Sequence, residues 1–355
     1  FGKPMSLRAA VNVDLVGPKK KPRRRQGYQQ MLAGRFHSPA TITGTDVLYA
    51  VADGDLNAYD HNFGLLDTVR ANVGEGRLTY AEVLGDLYWS SASEIRRSQR
   101  GTGADLPLWI DCPGTPDADP YAGGGLSAGA YRLAMTWFDA DGRESGALGV
   151  AYVDIAEGEG ILLSNIPTAP EGAARARVYM SPPNEGEMYA AMELMPGVSQ
   201  TVLGIGHLNN AGKALETLWR QPLPPCSILR YWNGRLLGAA GNLLVWSDPI
   251  AFGLTAPQDD YLRFGQEITL LEPIGEGDAS AGVWIADHKY TYWVDGSKPS
   301  DWRRVIKYDH PATPGTSLLV KGTVLGLETT ELVAFWVAAN GVFCAGLPGG
   351  KLVTP

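Results

Sequence analysis

Hydrophobic positions along this chain almost nowhere follow the 3.6-residue spacing of a helix; they read as short strands. Runs of four to eight β-branched, aromatic and aliphatic residues are separated by Asp-Gly, Asn-Gly or Gly-Asn turns, the sequence form of successive hairpins. Helical spacing is confined to 211–219 (AGKALETLW), where about two turns are predicted. An all-β chain is expected. Five segments share one pattern of strand, tight polar turn and second strand: 46–60, 85–98, 234–248, 282–296 and 331–346. Their starts are 39, 149, 48 and 49 residues apart. Repeats of ~40–50 residues built from antiparallel strands are the signature of a β-propeller, in which each blade buries its faces against its neighbours. An ordinary sandwich with similar hairpins is the competing reading.

The single long interval predicts an insertion between two blades. A Gly/Pro/Asp-rich stretch at 113–125 (PGTPDADPYAGGG) opens it, and Gln221-Pro222-Leu223-Pro224-Pro225 closes it, both of them loop chemistry. Between them, Tyr131, Leu133, Met135 and Trp137 alternate onto one face before a turn at Asp139-Ala140-Asp141-Gly142. Further strands are predicted in ILLSNIPTA, ARARVYMSPP, MYAAMELM and SQTVLGI, about seven within ~80 residues, the amount an immunoglobulin-like or fibronectin-like sandwich needs. The expected organisation is a basic N-terminal arm at 1–36, a first propeller part at 37–112, a linker at 113–125, an inserted β-sandwich at 126–206, a return linker at 207–226 and a second propeller part at 227–355.

Charge sharpens this division. The chain of 355 residues carries a formal net charge of -8, yet residues 1–36 hold nine Lys/Arg against the single acid Asp14, leaving 21 basic and 37 acidic residues elsewhere. An acidic body with a basic arm points to a polyanion or an acidic partner surface near the arm. The run Lys19, Lys20, Lys21, Arg23, Arg24 and Arg25 packs six positive charges into seven residues, a pattern that docks on an acidic protein groove or contacts DNA phosphates. No window approaches the ~18 apolar residues of a membrane helix, and Phe1-Gly2-Lys3-Pro4 lacks the apolar core of a signal peptide, so a soluble protein is expected. Cys112, Cys226 and Cys344 lie more than 100 residues apart, which predicts free thiols and no metal.

Candidate chemistry is thin. Gly125-Leu126-Ser127-Ala128-Gly129 fits the Gly-x-Ser-x-Gly pattern, but a Gly-rich stretch precedes it and a strand follows, where a nucleophile elbow needs a strand-to-helix turn. Asp139 to Glu144 superficially resembles a calcium loop but lacks the third oxygen ligand and the Glu at the twelfth position, so a hairpin turn is expected. His37, His61, His207, His288 and His310 show no metal-ligand spacing. No catalytic residue, cofactor or metal is assigned, and no enzyme activity is expected.

Several short motifs nevertheless share one arrangement: Val11-Asn12-Val13, the basic stretch 23–27 ending in Gly27, the strand-turn-strand at 48–59, and Gly129-Ala130-Tyr131 running through 139–145. Pro224-Pro225, Asn233-Gly234-Arg235-Leu236, Gly241-Asn242 and Trp246-Ser247-Asp248-Pro249 complete it. In this order they resemble the β-propeller tail proteins of short-tailed bacteriophages, the nozzle or tail tubular family and the related DNA-stabilising tail-plug proteins. One departure is Arg25-Gln26-Gly27, where the family carries Arg-Pro-Gly. The resemblance implies a non-enzymatic virion protein, assembled in the bacterial cytoplasm, that forms or caps the tail nozzle or DNA-exit channel. Implied partners are other tail or connector proteins, copies of itself in a ring, and double-stranded DNA passing through, with no membrane insertion. A glycan-binding or glycan-degrading propeller of a tail fibre, and a generic scaffold propeller, are the other readings.

Overall fold

The computed structural model describes residues 13–16, 21–24, 33–99, 104–275, 280–296 and 298–354. Its described part is all-β, with one short α-helix, Ile205–Asn209, and three single-turn 3-10 helices. Five four-stranded antiparallel sheets run in simple chain order, each strand pairing with the next in its own sheet. Blade 1 is Phe36–Thr41, Leu48–Ala52, Asp55–Tyr59 and Leu65–Arg70. Blade 2 is Thr79–Val83, Asp86–Ser90, Ile95–Ser98 and Asp105–Pro107. Blade 3 is Ile228–Trp232, Arg235–Ala240, Leu243–Trp246 and Tyr261–Arg263. Blade 4 is Ile268–Ile274, Gly282–Asp287, Thr291–Asp295 and Arg303–Tyr308. Blade 5 is Leu318–Lys321, Leu332–Val337, Phe343–Gly346 and Leu352–Val353.

All five repeated segments of the sequence are the second and third strands of these blades. In three of them the turn is legible because the backbone there goes left-handed: Asp53 and Gly54 sit at φ 51° and 88°, Gly241 at 60° and Gly341 at 82°. Successive blades bury apolar faces against one another. Val51, Leu56, Leu87 and Trp89 join blades 1 and 2; Val83, Tyr88, Leu229 and Leu236 join 2 and 3. Trp232, Trp246, Leu271 and Ile285 join 3 and 4, and Trp284, Trp293 and Trp336 form the seam of 4 and 5. Each fully buried side chain of this size contributes roughly 1.5–3 kcal/mol. The first strand of every blade, or the loop leading into it, faces one central cavity, the arrangement of a propeller.

Between blades 2 and 3 the chain builds a second unit of two sheets. Asp117–Tyr121, Gly160–Ser164 and Thr201–Leu203 form one; Ala151–Ile155, Gly129–Asp139, Ala173–Met180 and Tyr189–Leu194 form the other. They enclose a shared core in which Tyr131, Leu133, Met135 and Trp137 are buried, as the alternation required. Blades 2 and 3 meet across this excursion. The Ser90 hydroxyl accepts a bond from the Cys226 amide at 2.8 Å, and the Thr79 hydroxyl one from the Leu229 amide at 2.9 Å, across 136 and 150 residues of sequence.

Two expectations fail locally. The helix predicted over 211–219 is absent: the segment is extended, with Gly212, Lys213 and Leu215 exchanging backbone bonds with Met188 and Ala190 at the edge of a sheet. Leu215 and Leu218 pack on Ala134, Ala147 and Tyr179, so burial along a sheet edge overrides weak helical spacing. Within the expected linker at 113–125, Asp117–Tyr121 forms a strand on Gly160–Ser164, with Pro120 tolerated because the strand is an edge.

Candidate functional site

The basic arm is the first site to place. Lys19, Lys20 and Arg25 lie outside the described residues. Lys21, Arg23 and Arg24 belong to Lys21–Arg24, which pairs antiparallel with Val13–Val16 in a register that sets Asp14 opposite Arg23. This hairpin joins no other strand among the described residues.

The central cavity has a volume of about 1370 Å³. That exceeds a typical ligand pocket of roughly 300–1,000 Å³. Glu75, Glu82 and Glu267 line it against Arg77 and Arg230. Arg230 is neutralised by Glu272, whose carboxylate takes a two-pronged bond at 2.7 and 3.1 Å and a third bond from the Ser317 hydroxyl at 2.6 Å. Three carboxylates thus face Arg77, which has no ion pair among the described residues, with His288 3.8 Å from Glu267, leaving negative charge in excess. Ser38 ties blade 1 to blade 2 across the cavity wall: its hydroxyl accepts the Leu78 amide at 2.9 Å and its carbonyl accepts the Tyr80 hydroxyl at 2.7 Å.

The densest electrostatic cluster is one the sequence did not reveal. Arg96 and Arg97, both on Ile95–Ser98 and both buried, reach from blade 2 to the two-sheet unit. Arg96 binds Asp105 at 2.7 Å and Glu171 at 3.0 Å; Arg97 binds Asp86 at 3.0 Å and Asp141 at 3.5 Å. Trp109 completes the joint, donating its indole N–H to the Glu144 carbonyl at 2.8 Å beneath the Arg143 guanidinium, 5.1 Å from the ring centroid. Burial pushes the Asp105 carboxyl above the usual carboxylate range while Arg96 opposes it, and the Arg96 hydrogen bond holds Glu171 below that range. At the other connection Arg220 bridges Asp248 at 3.1 Å and Asp260 at 3.3 Å. The unit is therefore clamped where the chain enters and where it leaves.

The remaining candidates have structural surroundings. Ser127 is exposed in a loop, and its carbonyl accepts the Tyr131 hydroxyl at 3.0 Å. The glycine run before it serves close packing: a Cβ on Gly124 would lie 2.5 Å from the Gly160 Cα. Asp139 closes its hairpin turn on Arg143, through the amide at 2.8 Å and Nε at 2.7 Å. Asp287 is buried and spent on the turn after it, accepting the Lys289 and Tyr290 amides and the Tyr292 hydroxyl, which burial first and this carboxylate second push up to about 12. Cys112, Cys226 and Cys344 are free, and burial pushes the Cys226 thiol up to about 12. No group of three or more His, Cys, Asp or Glu side chains suited to a metal occurs among the described residues.

An open groove of about 800 Å³ lies between blades 3 and 4, with Trp246, Trp302 and Tyr261 beside Arg235, Asn233 and Asp259. Trp302 packs edge-on against Trp246 at 4.8 Å.

No protein-family model and no curated protein matches the sequence. Among solved structures the chain is similar to BBS1N in complex with ARL6DN at 12% identity, over 89% of this chain and 94% of that one, with a TM-score of 0.24. It is also similar to the Dos1 propeller at 10% identity over 98% and 81% of the two chains, with a TM-score of 0.25. The AfRom2 CNH domain gives 7% identity over 95% and 84%, with a TM-score of 0.26.

Proposed function

We propose that this chain is a structural protein of a bacteriophage tail, forming or capping the nozzle through which DNA leaves. The observation that carries this reading is the interruption of the propeller between blades 2 and 3 by a two-sheet unit, with motif residues of the tail-protein resemblance at turns of the unit and of blade 3. Asn233-Gly234 makes the left-handed turn of blade 3. Ser247 binds back to the Leu236 amide at 3.0 Å, and Ser145 accepts the Trp137 amide at 2.8 Å. Glu144 accepts the Thr136 hydroxyl at 2.9 Å and the Tyr179 hydroxyl on the same oxygen, Oε1. In this reading the unit at 126–206 is an immunoglobulin- or fibronectin-like sandwich, clamped to the body as a rigid arm.

A volume of about 1370 Å³ on the axis of one propeller cannot pass a duplex, so the conduit belongs to a ring of copies. The acidic body leaves DNA free to slide, and Lys19, Lys20, Lys21, Arg23, Arg24 and Arg25 dock on an acidic surface of a neighbouring tail or connector protein. A second reading, a glycan-binding propeller of a tail fibre, is favoured by the aromatic groove between blades 3 and 4, since Trp302 and Tyr261 can stack on sugar faces.

The test is placement in the particle. Antibody against the chain, applied to virions of the phage that encodes it, should decorate the tail axis, and particles in which all six basic residues are replaced together by Glu should fail to build tails. Labelling at the fibre periphery with binding of host polysaccharide fragments selects the second reading. Unlabelled virions with normal assembly of the six-fold variant refute both.

A further inference from the structure

The propeller has one seam without a described interface. Blades 2, 3 and 4 each bury both faces on neighbours, but among the described residues no apolar cluster, hydrogen bond or ion pair joins blade 5 to blade 1. The face of blade 5 turned away from blade 4 is nonetheless a core face. Its inner side sends Ala334, Trp336 and Cys344 into the seam with blade 4. By register, the opposite side carries Leu318, Val320, Val333, Phe335, Val337 and Phe343, with no polar residue among them. Leu318 is 45% exposed and Phe343 54%, and the Phe335 and Phe343 rings stack at 5.8 Å. Val333 and Ala345 on this side are buried yet belong to none of the described cores.

Blade 1 mirrors it. Tyr49, Val51, Leu56 and Ala58 face blade 2, while Phe36, Leu48, Ala50 and Tyr59 fall on the other side with Asn57, whose side chain accepts the Thr68 hydroxyl at 2.8 Å. Phe36 is 39% exposed and meets Tyr59 edge-on at 6.1 Å. Two largely apolar sheet faces at the two ends of a five-blade run, on which Ala50, Tyr59, Val333 and Ala345 are buried, describe a berth for one further sheet.

We propose that the N-terminal hairpin of this same chain, Val13–Val16 with Lys21–Arg24, seats between these faces and closes the propeller as a partial sixth blade. The hairpin is already paired and has both outer edges unclaimed among the described residues, so it is half a blade in search of a place. Chain order puts it there, because the segment before blade 1 belongs beside blade 1. The 12 residues from Arg24 to Phe36 span up to ~40 Å when extended, more than the width of a four-stranded sheet at ~4.8 Å per strand. Its sequence alternates Val11, Val13 and Leu15 with Asn12 and Asp14, the pattern of a strand with one face to bury. Charge agrees as well. Residues 33–70, which make blade 1, hold five Asp against Arg35 and Arg70, opposite in sign to the basic run of the arm.

A photoreactive benzoylphenylalanine in place of Phe343 tests the berth directly in the full chain. Mixed light and heavy isotope-labelled protein is irradiated at low micromolar concentration and the adducts are mapped by mass spectrometry. The expected product joins residue 343 to a peptide from 1–32 of the same isotope, and Leu15→Asp should cut its yield about tenfold, since one buried leucine is worth at least that factor in docking. The same group at Tyr152, which is 67% exposed on the two-sheet unit, should give no such adduct. Mixed-isotope adducts assign the berth to a second copy and overturn the proposal. Adducts lacking the 1–32 peptide, or a yield undiminished by Leu15→Asp, overturn it too.

Discussion

Removing Arg96 should unlock the two-sheet unit from the propeller, and the structure fixes how much each of its contacts is worth. The Arg96 side chain is 8% exposed and its partner Asp105 10%, so this pair is desolvated, whereas Glu171 is 63% exposed and its bond is screened by solvent. Breaking a buried pair from one side costs about 3–5 kcal/mol, because the remaining charge stays buried without compensation. Arg70 still stands 3.6 Å from Asp105, which places Arg96→Ala near the lower end, about 3 kcal/mol. Urea unfolding followed by tryptophan emission measures it, with Trp109 reporting from within the joint. A double-mutant cycle should give a coupling of about 2–3 kcal/mol for Arg96 with Asp105 and under about 1 kcal/mol for Arg96 with Glu171. The deficit also has a pH signature. A carboxyl whose folded pKa is raised contributes stability that is present below its unfolded pKa and lost as pH rises through the folded one, so the cost of Arg96→Ala should be greatest near neutrality and shrink on acidification. Equal couplings to the two acids, or a total loss below about 1 kcal/mol, would refute the claim that burial sets the strength of this joint.

Two further outcomes follow from packing and charge. Gly346→Ala should lower the melting temperature by the equivalent of about 1–3 kcal/mol, because a Cβ there would stand 2.4 Å from the buried Trp284 indole; Gly206→Ala, with nothing within 4 Å, should be silent in the same melt. Glu193, held below the usual range chiefly by its hydrogen bond to Arg177 at 2.6 Å, contributes stability that is present above the ordinary glutamate pKa and lost as pH falls through the depressed one; melts of Glu193→Gln across the acid range should show a shallower decline than the parent, and an identical slope would sink the assignment.

The hairpins at 46–60 and 331–346 are legible because two short apolar runs are joined there by left-handed turns that only a few residue types favour. Inner strands are less visible. Ile268–Ile274 is buried at every position and so carries no alternation, while outer strands such as Arg303–Tyr308 are largely exposed and read as loop. The segment 211–219 was misread because its leucines answer to a sheet edge, a contact no local spacing encodes. The same limit hid the joint: Arg96 and Glu171 are 75 residues apart, and two adjacent arginines in a strand look like a solvated edge until the fold brings acids to them. The arm was legible as charge alone, since composition needs no geometry.

The union of blades 2 and 3 across 136 and 150 residues also sets a timetable for synthesis. A ribosome adding ~5–20 residues per second needs about 6–24 s to travel from the last strand of blade 2 to the first of blade 3. During that interval blades 1 and 2 stand outside with the Tyr88 and Leu108 side of blade 2 uncovered, while the intervening unit, whose contacts are mostly its own, can fold first. Its closed ends then act as a hairpin of a larger kind, shortening the effective loop that blade 3 must close. The nascent chain is thus exposed to chaperones and to aggregation chiefly at this one face and for this one delay, and synonymous codon changes within 108–227 would be felt there before anywhere else in the protein.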